Sequence, residues 1–129
     1  MHKGFLKTAA LTGALSVMLG AFTAHGLKKI LSLDILQIFE TAVRYQFYHS
    51  FALLAVGILY KEFRGKLMEW AGRFFIAGMI LFSGSLYLLS YVKHNEISLN
   101  WLGAITPFGG AAFIAGWVFL FLAFFKKSQ

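Results

Sequence analysis

The sequence predicts an all-α membrane protein, a transmembrane four-helix bundle. Three observations predict it. Hydrophobic residues make up 59% of the 129 positions and charged residues only 13%, against roughly a quarter charged in a soluble domain. The apolar residues fall in four stretches of bilayer-spanning length. The lysines and arginines gather at the ends of those stretches rather than within them. A chain with so few polar side chains cannot cover itself in water, so lipid must be the solvent for much of its surface. At this length it is read as a single membrane domain, residues 1–129.

The first span is placed at about residues 5–25. His2, Lys3 and Lys7 precede it, as in a signal peptide, but its apolar run has spanning length and carries Gly13 and Gly20, so it reads as a retained helix. His25 and Gly26 end it, with glycine in its usual role at a helix C-terminus.

The second span, about 41–60, is preceded by an amphipathic lead-in at 33–40. Asp34, Gln37, Glu40, Thr41 and Arg44 recur at helical spacing between Leu, Ile, Phe and Val. Taken together, 33–60 would form a helix about 42 Å long, while the hydrocarbon core is about 30 Å thick. No proline or glycine marks a break at its start, which favours one tilted or softly bent helix. Lys61–Lys66 is a short basic loop.

The third span is placed at 70–92, opening beside the i,i+4 pair Glu69 and Arg73. The fourth is placed at 107–125, with Thr106 as its N-cap and Pro107 in the first helical position. Trp101, in the fairly apolar approach to it, suits the membrane interface.

Four spans put the N-terminus, the middle loop and the C-terminus on one side. That side holds Lys3, Lys7, Lys61, Arg64, Lys66, Arg73, Lys126 and Lys127, and the positive-inside rule makes it cytoplasmic. The net charge of +7 is thereby assigned to orientation and lipid headgroups, and no nucleic-acid partner is expected. There is no cysteine, which removes disulfides and thiolate chemistry.

Gly13, Gly20, Gly78, Gly84, Gly109, Gly110 and Gly116 are candidate helix-packing positions, since small residues let helix backbones approach closely in lipid. The tetrapeptide FIAG occurs twice, at 75–78 and 113–116; with Phe, Ala and Gly so abundant it reads as a product of composition.

Counting 1.5 Å per residue along each span places the polar residues in depth. His25, Glu40, Arg44, Tyr45, Tyr87 and Thr106 fall at the level of the outer leaflet, and His49 near the midplane. These seven form the candidate polar cluster. Glu40 and Arg44 are i,i+4 and can pair, as can Tyr45 and His49. An ionisable residue inside a membrane is a functional-site hypothesis, but Arg44 can also simply snorkel, and His49 can be a satisfied structural histidine. A haem held by His25 and His49 is disfavoured, because they lie roughly 12 Å apart along the membrane normal. No catalytic motif and no metal-ligand set is present, so neither an enzyme nor a cofactor is expected.

The segments LGAFTAHGLKK (19–29), FETAVRYQFYHSFALL (39–54), AGRFFIAGMILFSGSLYLL (71–89) and LGAITPFGGAAFIAGW (102–117) resemble the small four-helix membrane proteins grouped as domain of unknown function 423. The resemblance covers nearly the whole chain, in order and spacing. It implies a multi-pass protein, in bacteria of the cytoplasmic membrane, and brings no catalytic residues with it.

Two functional expectations follow. The first is a small helical scaffold that binds lipid or a membrane partner. The alternative is a small oligomeric transporter or channel using His49, Arg44 and Glu40, its pore formed between subunits. A haem-binding or enzymatic protein is a distant third. Membrane lipids are the expected partners, together with a possible homo-oligomer.

Overall fold

The computed structural model describes residues 1–126, so Lys127 lies outside it. Helix α1 spans Lys3–His25 and α2 spans Leu33–Leu59. Helix α3 runs through Lys66–His94 and α4 through Leu102–Ala123. Among the described residues there are no strands. The chain is an all-α bundle in which α1, α3 and α4 are long and apolar enough to cross a membrane. α2 has the length, 27 residues, but Arg44, Gln46, His49 and Ser50 in its middle make it less apolar.

The first helix start has a local cause. His2 caps α1: its Nδ1 accepts from the Phe5 amide at 3.1 Å, satisfying one of the free donors of a helix N-terminus. Ser32 precedes α2 in extended conformation. The lead-in and second span form one uninterrupted helix. At the other end of α1, Gly26 does not take the left-handed conformation of a usual glycine terminus; its φ is −90° and ψ −55°. The Phe22 ring lies over it, and a Cβ there would come within 2.7 Å of that ring. The chain then continues into a short 3-10 turn, Leu27–Lys29.

The fourth helix departs from expectation. It begins at Leu102, so Thr106 is not its N-cap and Pro107 lies inside it. A proline there removes the bond to the carbonyl of Gly103. Gly103 is exposed near the helix start, where water or headgroups can take over that carbonyl. Thr106 is therefore free to bond sideways, to α3.

The helices pack as two antiparallel hairpins. In the α1–α2 hairpin, Gly13 faces Ser50, Gly20 faces Val43 and Leu6 closes on Gly57. These contacts recur every seven residues, the repeat of a left-handed coiled coil. In the α3–α4 hairpin the two FIAG segments are each other's partners. Phe75 covers Gly116, and Phe113 covers Gly78. The same antiparallel register carries on to Phe82 against Gly109 and Ser85 against Thr106. At Met79–Ser83 α3 loosens into a π-helical turn, and there Gly109 rests on the backbone of Leu81 and Phe82.

α2 joins the hairpins, packing along α1 and along α3, and reaches α4 through the His49 side chain. Phe5 of α1 also reaches across to Gly72 of α3. The apolar core, including Phe5, Leu53, Val56, Met68, Phe75 and Phe113, lies in the half toward the termini. That end is held by the His2 amide donating to the Gly57 carbonyl at 2.9 Å and by the edge-on Phe63–Phe124 pair. The two ends of the described chain thus sit at the same end of the bundle.

The glycines are not equivalent. Gly110 is in loose contact with Phe82, and Gly84 has open space where a Cβ would stand, so neither is a close-approach position. Gly109→Ala is expected to destabilise the protein by about 1–3 kcal/mol, because its methyl would meet backbone that cannot turn aside. Gly84→Ala should be neutral or slightly stabilising. Thermal unfolding of both variants in detergent checks this; equal midpoints would refute the packing assignment.

Candidate functional site

The polar side chains of α2 determine how the interior is wired. Gln46 is buried. Its Nε2 donates to the Thr12 carbonyl on α1 at 3.0 Å, and its Oε1 accepts from the Tyr87 hydroxyl on α3 at 2.7 Å. One turn on, Ser50 shares a 2.7 Å hydrogen bond with Thr12. One turn back, the Ala42 carbonyl accepts from the Ser83 hydroxyl of α3 at 2.7 Å. Three of the four helices are thus bound through consecutive turns of α2.

His49 supplies the fourth. Trp117 Nε1 of α4 donates to its Nε2 at 3.1 Å, and its Nδ1 lies 2.7 Å from the Tyr45 carbonyl. An indole N–H can only donate, so Nε2 must be the acceptor and the ring proton sits on Nδ1, donating to Tyr45. The imidazole is neutral with both nitrogens engaged. The Phe113 ring stacks on it at 3.5 Å between centroids, and Phe75 and Trp117 stand around it. Between α3 and α4, Ser85 and Thr106 share a 2.7 Å hydrogen bond.

The seven candidate residues therefore do not form one cluster. Tyr45 and His49 belong to the aromatic box, with the Tyr45 ring 4.7 Å from that of Phe82. Tyr87 belongs to the Gln46 relay and Thr106 to the α3–α4 contact. Glu40 and Arg44 lie on the outer surface along the α1–α2 seam, both exposed, with Gly20, Thr23, Ala24 and Val43 beside them. The expected Glu40–Arg44 pair is not formed; among the described residues the one ion pair is Glu69–Arg73, at 4.0 Å. His25 is exposed at the end of α1, away from the rest. Depth along the membrane put these residues on one level, but depth does not report which way a helix is turned.

Gln46, Ser50, Thr12 and Trp117 escaped the sequence reading. Charge drew attention to Glu40 and Arg44, while the uncharged residues between them and His49 carry the wiring. The available signal was spacing: Ala42, Gln46, His49, Ser50 and Leu53 recur at three and four residues, marking the inward face of α2. A second polar group lies at the opposite end. There the Tyr60 hydroxyl donates to Glu69 at 2.6 Å, and the His2 ring packs edge-on against Tyr60. Among the described residues no three His, Asp or Glu side chains gather as metal ligands.

Residues 19–110 match the family model described as protein of unknown function (DUF423). The UPF0382 membrane protein YwdK of Bacillus subtilis is 42% identical over 96% of this chain and 98% of its own. A UPF0382 membrane protein of Staphylococcus aureus strain bovine RF122 is 42% identical over 96% and 97%. One from Haemophilus influenzae is 39% identical over 100% and 99%. No solved structure matches the chain. Matched end to end with these bacterial membrane proteins, and by the family model over most of its length, the chain belongs to the DUF423 family of multi-pass membrane proteins.

Proposed function

We propose that the protein is a small helical scaffold of the bacterial cytoplasmic membrane, with both termini cytoplasmic, whose outer-leaflet surface binds lipid. One observation carries the reading. The polar side chains inside the bundle are used to hold helix to helix: among the described residues, no buried side-chain nitrogen or oxygen lacks a hydrogen-bond partner. A permeation path needs polar groups facing water or a passing ion. Here Gln46 and Tyr87 bond each other, Ser50 bonds Thr12 and Ser83 bonds the Ala42 carbonyl, and His49 would have to give up Trp117 or Tyr45 to take up a proton or a metal. Glu40 and Arg44, which make no ion pair among the described residues, stand on the outer surface along the α1–α2 seam.

This assigns opposite roles to neighbours on α2. Gln46→Leu removes two interhelical hydrogen bonds and leaves the Tyr87 hydroxyl without its acceptor. The expected loss is about 1–3 kcal/mol, seen as a lower unfolding midpoint in detergent. Arg44→Ala should change stability by no more than about 0.5 kcal/mol. A large loss for Arg44→Ala with none for Gln46→Leu would reverse the assignment.

The same reading forecasts transport behaviour. Proteoliposomes loaded with a pH-sensitive dye should leak protons no faster than empty liposomes, with or without His49→Ala. Proton or cation flux that depends on His49 would instead establish the transporter.

A further inference from the structure

We infer that Glu40 and Arg44 read the headgroup of a zwitterionic aminophospholipid, phosphate on Arg44 and ammonium on Glu40, with one acyl chain lying in the α1–α2 groove. The inference deepens the scaffold reading and rests on it.

The groove follows from the small residues of α1. Ala10, Gly13 and Ala14 leave a furrow of about 280 Å³ against Phe51 and Leu54 of α2. It adjoins a second hollow of about 240 Å³ at Val17, Val43 and Phe47, which Arg44 also lines. That hollow opens in turn onto a third, of about 380 Å³, bounded by Gly20, Thr23, Glu40 and Arg44. Each adjoining pair shares two residues, Val17 and Phe47 in one case and Val43 and Arg44 in the other. The three form one channel along the seam, apolar over its length and charged at one end.

Its dimensions suit a lipid of one leaflet. From Arg44 to Leu54 is ten residues of α2, about 15 Å of helix, which is half of a hydrocarbon core about 30 Å thick. Gly20 faces Val43 across the hairpin, so Glu40 is level with the last turn of α1. Arg44 lies one turn deeper. Glycerophospholipids have this order: acyl chains deepest, then phosphate, then the amine outermost.

The charges select among headgroups. A guanidinium matches a phosphate through paired N–H donors. A carboxylate one turn farther out repels a headgroup that is only anionic and attracts an ammonium. Of the ammonium headgroups, ethanolamine keeps three N–H donors for that carboxylate, while choline has none. Because Glu40 and Arg44 are not bonded to each other, both are open to such a ligand.

Native mass spectrometry of the detergent-purified full chain tests this, with dioleoyl lipids bearing ethanolamine, choline or glycerol headgroups titrated against one another. The ethanolamine lipid should bind about fivefold or more tighter than the other two. Glu40→Gln should erase its advantage over the glycerol lipid, and Arg44→Ala should weaken both, each with an unchanged unfolding midpoint. Equal binding of all three, or binding indifferent to both substitutions, marks unselective lipid and overturns the inference. Tighter binding of the glycerol lipid overturns it in favour of an anionic ligand. Self-association that displaces the ethanolamine lipid overturns it in favour of a second copy in the groove. These failures leave the scaffold intact, because that falls only to His49-dependent flux or a stable Gln46→Leu variant.

Discussion

The bundle depends on the rule that a polar group inside hydrocarbon must find its partner within the protein. Apolar surfaces do not drive helices together in lipid, because the tails are as apolar as leucine. What remains is close packing and the cost of an unpartnered donor or acceptor. α2 carries the polar groups, so α2 becomes the hub. Gln46 bonds to both α1 and α3, Ser50 to α1, and His49 to α4. The helix that carries these polar groups thereby lies between α1 and α3, its polar face inward and its charged residues left to the rim.

Packing supplies the other half of the cohesion, and it works through exchange of size. In the α3–α4 hairpin a phenylalanine on each helix covers a glycine on the other, and the two FIAG segments lie antiparallel. The ring fills the space that the absent side chain leaves, so backbone distance and apolar contact are improved together. The π turn at Met79–Ser83 falls where Gly109 brings the two backbones closest. It ends at Ser83, which bonds to α2. The α1–α2 hairpin uses small residues differently: Gly13 and Gly20 face short side chains, and the alanines next to them leave an open furrow toward lipid. One hairpin is filled by its own rings, while the other leaves space for a foreign chain.

The candidate site was legible in part. Its members on α2 were visible, because Glu40, Arg44, Tyr45 and His49 are rare polar residues in an apolar setting. Their grouping was not. Tyr45 and His49 proved to be i,i+4 neighbours in one aromatic box, while Glu40 and Arg44, at the same spacing, stay apart on the surface. The partners of His49 lie in distant sequence: Trp117 is 68 positions away. Nothing local to either residue announces the pair. Thr106 shows the same limit, since the Thr-Pro sequence is a good helix start and yet serves as the interior of a helix that begins earlier.

By itself the sequence determined the solvent and the number of helices, because hydropathy and length answer to a slab of fixed thickness. It offered a set of small residues for close contact, but which of them meet another helix, as Gly78, Gly109 and Gly116 do and Gly84 does not, was not legible in it. Only the tertiary structure decided the rotation of each helix, and with it which polar residue meets which. A span is a span whichever face it turns inward, so rotation leaves no mark on hydropathy. It is set by the joint need to pair Gln46, His49, Ser83 and Thr106 at once, and that condition exists only when all four helices are present.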